Sequence, residues 1–138
     1  SVPGAFVSTD GRILGEHKGI IHYTVGQRRG LGIPHGERLY VCRIDPEKNK
    51  VVLGEEKDLY RSETAVSDVN WISGETPKEP VRCAVKIRYR AQEQGATVYP
   101  EENGCARIVF DAPQRAVTPG QAAVFYDGDT VLGGGTIE

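Results

Sequence analysis

The window of this chain that is richest in groups able to hold a ligand is YTVGQRRGLGI, residues 23–33. Arg28 and Arg29 supply planar donors that suit phosphate, and the glycines around them permit positive φ and a close approach of the backbone to a ligand. The composition is unlike that of a core segment. The GK[ST] ending of a P-loop is missing, and the glycine spacing does not match GxGxxG. An irregular connection with two exposed arginines remains the alternative.

A second cationic window is VRCAVKIRYR, residues 81–90, which alternates in the manner of a β-strand. Its odd positions are apolar, and its even positions carry four cations, Arg82, Lys86, Arg88 and Arg90. Such a row could follow the phosphates of a nucleic acid, and Tyr89 could turn outward and stack on a base. The alternative is a solvent-facing row whose charges are offset by acidic residues of neighbouring strands.

No set of residues in the sequence forms a convincing catalytic or metal site. The histidines lack the close, patterned spacing of metal ligands, and the serines and threonines in suitable loops have no visible base partner. The residues concerned are His17, His22, His35, Ser8, Thr9 and Ser73. We therefore expect no catalytic residue and no metal ligand in this chain.

The cysteines are odd in number and form no CxxC pair, which fits a reducing compartment. They are Cys42, Cys83 and Cys105. Since each lies in an apolar strand pattern, we interpret all three as small core residues.

The whole chain has the composition of a soluble globular protein, with 38% hydrophobic and 26% charged residues over 138 positions. No apolar run approaches the roughly 20 residues of a membrane helix, and no signal peptide is visible. The net charge of −2 does not predict a nucleic-acid partner. Nucleic-acid binding therefore has to be argued from local clusters of cations. The chain begins with Ser1 and contains no methionine, which favours a piece of a longer protein.

Short apolar runs separated by Gly, Pro, Asn and Asp predict an all-β fold. Four hairpins are expected, with turns at Asp10-Gly11, within residues 38–54, at Asn103-Gly104 and at Asp127-Gly128. Only residues 15–27 could hold a helical turn. A polar stretch near residue 60 divides a small β subdomain, residues 1–60, from a compact antiparallel β-barrel, residues 61–138, that contains a loop at residues 71–80.

The chain resembles the C-terminal part of bacterial tRNA-specific 2-thiouridylases in three strings, GEHKGIIHYTVGQRRGLGI, VKIRYR and AVTPGQAAVFYDGDTVLGGGTIE, and the match runs in order through essentially the whole sequence. The resemblance implies a small central β domain followed by a β-barrel like the second domain of translation elongation factors. It also places the arginine-rich window in the central domain, between a catalytic domain and the barrel. An older family name is tRNA methyltransferase, but nothing in the sequence suggests a site for S-adenosylmethionine.

The resemblance implies a cytoplasmic enzyme that uses ATP to adenylate C2 of the wobble uridine in the tRNAs for Lys, Glu and Gln. A persulfide sulfur then displaces the activated oxygen and gives 2-thiouridine. The family's ATP site is an SGGxDSS-type loop of an N-terminal domain, and that loop does not occur in this sequence. The three cysteines match neither of the family's catalytic cysteines. We therefore expect this chain by itself to be inactive.

The tRNA-contacting positions of the family match Arg88, Tyr89 and Gln121. To these we add the neighbouring cations Lys86, Arg90, Arg28 and Arg29 as candidate tRNA-binding residues. Gln121 follows a Pro-Gly turn and is expected to begin a strand, where capping the turn is its alternative role. A β-barrel module that binds a protein partner without RNA is the alternative function.

Overall fold

The computed structural model describes residues 2–34 and 38–138, so His35 lies outside the described residues. The chain forms two compact units, residues 1–60 and residues 61–138. Within the described ranges, no helix has the length and apolar character needed to span a membrane.

The first unit is a four-stranded mixed sheet with the strand order β2-β1-β4-β3. Its strands are β1 (Gly4–Ser8), β2 (Ile13–His17), β3 (Tyr40–Asp45) and β4 (Lys50–Gly54). Strands β1 and β4 run parallel, and the other neighbours are antiparallel. Two short 3-10 helices follow the sheet strands, at Ile20–His22 and at Glu56–Leu59. The first of them lies within residues 15–27, the segment whose sequence could hold a helical turn.

The core of the first unit is built around three aromatic rings. Phe6 meets Tyr23 edge-on at 5.1 Å between ring centroids, and His17 lies 5.7 Å from each. His17 is buried, and its Nδ1 accepts the Gly19 N–H at 2.9 Å. Its Nε2 therefore carries the proton and donates to the Asn49 carbonyl at 2.8 Å. Both ring nitrogens of this histidine are satisfied by the backbone, which explains how a polar ring is tolerated in the core.

The second unit is a closed antiparallel barrel with the strand order β10-β5-β8-β7-β6-β9. Its strands are β5 (Tyr60–Trp71), β6 (Val81–Lys86), β7 (Gln94–Pro100), β8 (Ala106–Arg115), β9 (Ala122–Asp127) and β10 (Thr130–Ile137). Alternate residues of these strands fill the interior, among them Val66, Val85, Val98, Ile108 and Phe125. Closure pairs every strand on both sides and leaves no exposed edge. The all-β prediction is confirmed.

All four expected hairpins are present, but two of the turns differ from the prediction. At Asp10-Gly11 the loop is one residue longer than a type I′ turn: Ser8 N–H donates to the Arg12 carbonyl at 2.8 Å, and only Gly11 in the loop has positive φ. This is a type I turn closed by a left-handed glycine. In the last hairpin Asp127 pairs with Thr130, so the loop lies one residue later than predicted.

The Asn103-Gly104 turn has the predicted geometry. Its φ values are 59° and 70°, and both central residues of a type I′ turn need positive φ. The Cys105 N–H donates to the Glu102 carbonyl at 3.2 Å and closes the turn.

The prediction of one strand across residues 81–90 is wrong at its C-terminal end. Strand β6 stops at Lys86, and the backbone then turns, with the Ala91 N–H donating to the Arg88 carbonyl at 3.1 Å. The alternation persists as far as Ile87, which is 3% exposed. Arg88 and Arg90 therefore lie on a turn, and the expected row of four cations along one strand does not form.

Candidate nucleic-acid interface

The turn after β6 presents an unusually exposed aromatic ring. Tyr89 is 91% exposed, the largest exposure among the large hydrophobic residues that the structure describes. It occupies the second position of the turn from Arg88 to Ala91. Since no core contact holds the ring, its aromatic face is available to a ligand, and the possibility that Tyr89 belongs to the odd-numbered core residues is excluded.

Arg88 ties this turn to the loop that follows β8. Its Nη1 donates to the Ala116 carbonyl at 2.9 Å and to the Arg115 carbonyl at 3.2 Å. Ala116 has a φ of 54°, a left-handed conformation that costs energy for a residue with a Cβ. The Thr118 hydroxyl donates to the same Ala116 carbonyl at 2.8 Å. Part of the Arg88 guanidinium is thus used in hydrogen bonds to backbone carbonyls, and these bonds hold the loop in a strained conformation.

Gln121 lies at the end of the next turn along the same loop. The Gln121 N–H donates to the Thr118 carbonyl at 3.2 Å, and Gly120 between them has a φ of 90°. Pro119 followed by a glycine with positive φ is the arrangement of a type II turn. The Gln121 carbonyl accepts the Ile137 N–H at 2.8 Å, while the residue as a whole is exposed. Strand β9 begins one residue later than expected, at Ala122.

The hydrogen bonds of Arg88 therefore connect the turn that carries Tyr89 to the loop that leads to Gln121. Residues 86–91 and 115–121 lie where β6 and β8 end and β9 begins, and we call these two segments the rim. Lys86 and Val124 are antiparallel partners, which brings the end of β6 beside the start of β9. The tertiary structure thus joins residues more than 30 positions apart in the sequence into one surface.

The other cations of the second window have different surroundings. Lys86 points toward Tyr126, with its Nζ 6.0 Å from the ring centroid, and Arg90 is exposed. Arg82 forms two parallel hydrogen bonds with the Asp111 carboxylate, at 2.7 and 2.8 Å. The hydrogen bond from Arg82 lowers the pKa of Asp111. At Arg82 the alternative interpretation, a cation offset by an acidic residue of another strand, is confirmed.

The arginine-rich window of the first unit contributes more to the core than its composition suggested. Tyr23 and Leu31 are buried in the first unit's core, so the interpretation of residues 23–33 as unlike core was wrong at these positions. The backbone of the window pairs with β3: the Gly26 N–H donates to the Val41 carbonyl and the Val41 N–H to the Gln27 carbonyl, both at 2.8 Å. Left-handed glycines let the irregular segment turn its apolar side chains inward.

The two arginines of that window remain at the surface. Arg28 lines a cavity of about 450 Å³ whose other lining residues are Arg38, Tyr40, Glu55, Glu56 and Lys57. This lining mixes cations and carboxylates and does not form a simple anion site. Arg29 is exposed, and its carbonyl accepts the Gln27 side-chain amide at 2.9 Å. Both arginines belong to a different compact unit from the rim.

The cysteines are free thiols. Burial raises the pKa of Cys83 to about 11, and burial together with the nearby Asp58 raises that of Cys42 to about 11. At neutral pH these two groups are therefore protonated and poorly nucleophilic. Cys83 packs against the barrel core as expected, whereas Cys42 and Cys105 are half-buried and lie outside both core clusters. Among the described residues, no group of three potential ligands is arranged to hold a metal ion.

Sequence reasoning missed the two residues that shape the rim, Ala116 and Thr118. Alanine carries no signal for a left-handed conformation, because glycine and asparagine are the residues that usually adopt it. Thr118 lies just before the Pro-Gly pair, so the turn itself was visible, but the acceptor of its hydroxyl was not.

Comparisons with known proteins agree with this architecture. Residues 61–137 match the family model described as an aminomethyltransferase β-barrel domain, and residues 1–55 match the model described as a tRNA methyl transferase PRC-barrel domain. The chain is 60% identical over 136 residues to the tRNA-specific 2-thiouridylase MnmA of Acetivibrio thermocellus, which covers 99% of this chain and 38% of the relative. The proteins of the same name from Trichormus variabilis and Halothermothrix orenii are 55% and 50% identical, with coverage of 98% and 99% of this chain.

This chain spans 38% of the length of each of these three relatives. The two family models follow one another in the order of the two compact units. The chain therefore belongs to the family of the tRNA-specific 2-thiouridylase MnmA, with its PRC-barrel domain in the first unit and its β-barrel domain in the second.

Proposed function

We propose that this chain is the tRNA-binding portion of a tRNA-specific 2-thiouridylase, and that its two compact units act as separate domains. The observation that carries the proposal is the rim, where Tyr89 is almost fully exposed between Arg88 and Arg90, and Arg88 is hydrogen-bonded to the loop that leads to Gln121. Exposed aromatic rings beside cations are the usual means of holding unpaired nucleotides. The names of the relatives identify tRNA as the corresponding substrate.

Each rim residue has a role that follows from its chemistry. The Tyr89 ring offers a face for stacking on a base. Lys86 and Arg90 supply charge for phosphates, and the Gln121 amide can both donate and accept a hydrogen bond. Arg88 has a double role: its Nη1 holds the Ala116 carbonyl, and the remaining donors of its guanidinium can reach a phosphate.

The reaction proposed for the whole protein is the ATP-dependent sulfurtransfer that makes 2-thiouridine at the wobble position of the tRNAs for Lys, Glu and Gln in the cytoplasm. A persulfide donor supplies the sulfur. The residues of this chain do not fit ATP, because its described helices are short 3-10 turns without a phosphate-cradling N-terminus. We therefore assign adenylation and sulfur transfer to a part of the protein that these residues do not include.

The contribution of this chain is to bind and orient the tRNA. Cys42 and Cys83, whose pKa values are raised to about 11, have no role in the proposal, and neither has Cys105. The alternative, a β-barrel interaction module without RNA, is not favoured by relatives whose name specifies tRNA.

The test is a titration of the chain with a tRNA-Lys transcript at two salt concentrations, comparing Tyr89→Ala with Tyr60→Ala. Tyr60 is a second exposed tyrosine, at the start of β5 and outside the rim. Loss of stacking at Tyr89 should weaken binding by about 1–3 kcal/mol, while Tyr60→Ala should have little effect. Equal effects of the two substitutions, or no binding by the unaltered chain, would refute the assignment of the rim.

A further inference from the structure

The first unit has a second cationic surface, on the face of its sheet that points away from the aromatic core. Arg43 on β3, Val52 on β4 and Val7 on β1 are direct neighbours across three strands. Lys50 lies two residues before Val52 on the same strand, so its side chain emerges on the same face. Lys48 lies in the turn between β3 and β4.

These residues line a cavity of about 130 Å³, which we call the sheet-face groove. Its floor is apolar, because Val7 and Val52 are 5% and 7% exposed and neither belongs to the aromatic core cluster. Thr9 also lines the groove and adds a hydroxyl group. The groove is therefore a concave surface with cationic walls.

The charges of the groove are unbalanced. Three cations, Arg43, Lys48 and Lys50, stand against one carboxylate, Asp45. The Asp45 Oδ1 is already occupied by the Lys48 backbone N–H at 3.2 Å, as in a turn cap. Within the described residues, none of the three cations forms an ion pair. Like charges this close repel one another unless an anion neutralises them.

From this arrangement we propose that the sheet-face groove binds a phosphate group of the RNA backbone. The cavity has room for a phosphate, and cationic side chains with a neighbouring hydroxyl are the usual donors to phosphodiester oxygens. The proposal rests on the proposed function, since it gives the first unit its own contact with the same tRNA. The groove contacts the backbone and reads no base.

The test replaces two wall cations with glutamine, in Arg43→Gln/Lys50→Gln, which removes charge and keeps part of each aliphatic stem. The matched control is Lys18→Gln/Lys78→Gln, which removes two exposed lysines that do not line the groove. Binding of a tRNA-Lys transcript is measured as a function of salt. The groove variant should lower the magnitude of the log–log salt slope by about 1, because the one phosphate contact of the groove is lost, and the control should change it much less.

The outcomes separate this inference from the function on which it rests. Equal salt slopes for the groove variant and the control would overturn the proposal that the groove binds a phosphate. If the groove variant also has a lower melting temperature, Lys48→Gln in the turn is compared with Lys78→Gln instead, and a slope change of about 1 is expected.

A failure of the unaltered chain to bind tRNA would overturn the proposed function. A titration with inorganic phosphate, followed by the chemical shifts of backbone amides, then tests whether the groove binds an anion. Saturable amide shifts at Val7 and Val52 that vanish in the double variant support an anion site there. Their absence overturns it.

Discussion

Residues 23–33 in the first unit and residues 85–91 in the second each combine a tyrosine with neighbouring arginines, yet the two tyrosines have opposite surroundings. Tyr23 is 9% exposed, packs edge-on against Phe6, and its hydroxyl accepts the Lys18 N–H at 3.0 Å. Tyr89 is 91% exposed on a tight turn. The comparison teaches that residue composition does not distinguish a buried aromatic ring from an exposed one. What distinguishes them is whether the local backbone directs the ring into the core or away from it.

The largest expected effect tests the buried side of this comparison. Tyr23→Ala removes a ring from the core of the first unit and should lower the free energy of unfolding by about 3–5 kcal/mol, as for other large aromatic truncations. Urea denaturation measures it. Tyr89→Ala is the matched control and should stay within about 0.5 kcal/mol of the unaltered chain, as expected for an exposed residue. Comparable losses of unfolding free energy at the two positions would contradict the assignment of Tyr23 as buried and Tyr89 as exposed.

A second prediction tests the change from buried to exposed side chains within the rim itself. Ile87 is 3% exposed and lies only two residues before Tyr89. Ile87→Ala removes buried methylenes and should cost about 2–5 kcal/mol of stability. At temperatures well below its melting transition, tRNA binding should be almost unchanged. A stable Ile87→Ala variant with impaired binding would mean that the apolar and ligand-facing positions have been assigned the wrong way round.

A smaller effect is expected at Arg88, which lies between those two residues. Arg88→Ala removes the donors that hold the Arg115 and Ala116 carbonyls, and we expect a stability loss of about 1 kcal/mol, because the site is exposed. In binding experiments the magnitude of the log–log salt slope should fall by about 1. Arg90→Ala serves as the control, since Arg90 is exposed and its loss should change binding without changing stability.

The smallest expected effect concerns the ion pair on the barrel surface. The hydrogen bond from Arg82 lowers the pKa of Asp111 below its ordinary value of 3.8. A group whose folded-state pKa is lowered stabilises the fold above its unfolded pKa, and this stabilisation is lost as the pH falls through the folded pKa. Asp111→Asn should therefore weaken the decline of stability between about pH 5 and pH 2. Urea midpoints for both proteins across that range measure the difference, and parallel curves would contradict the prediction.

Much of the fold was predictable because its signals are local. Each hairpin carries a turn residue suited to positive φ, and Asn103-Gly104 adopts the expected type I′ geometry. The shift of one residue at Asp127 and the longer loop at Asp10 follow from strand register, which depends on pairing partners and not on the turn residues alone. The end of β6 at Lys86 was missed because Arg88 bonds to a loop 27 and 28 positions away.

The candidate site was predictable in its residues and not in its arrangement. Arg88, Tyr89 and Gln121 came from resemblance to a family, and their roles in binding tRNA stay predictions. The sheet-face groove had no signal in the sequence, because Val7, Arg43 and Lys50 come from three strands whose adjacency depends on the parallel pairing of β1 with β4. A parallel pair of strands needs a long connection, so the sequence contains no local turn signal that would predict the pairing.

The sequence by itself determined the strand-rich architecture, the alternation that fills the barrel, and the family to which the chain belongs. These properties depend on the order of residues along the chain, through the period of two of a strand and through turn chemistry. Tertiary structure alone decided that Tyr23 is buried and Tyr89 exposed, and that Ala116 takes a left-handed conformation. It also decided that Arg82 forms an ion pair, whereas Arg43 forms none with the residues that the structure describes. Each of these outcomes depends on which distant groups donate, accept or fill space nearby, and one-dimensional spacing does not contain that information.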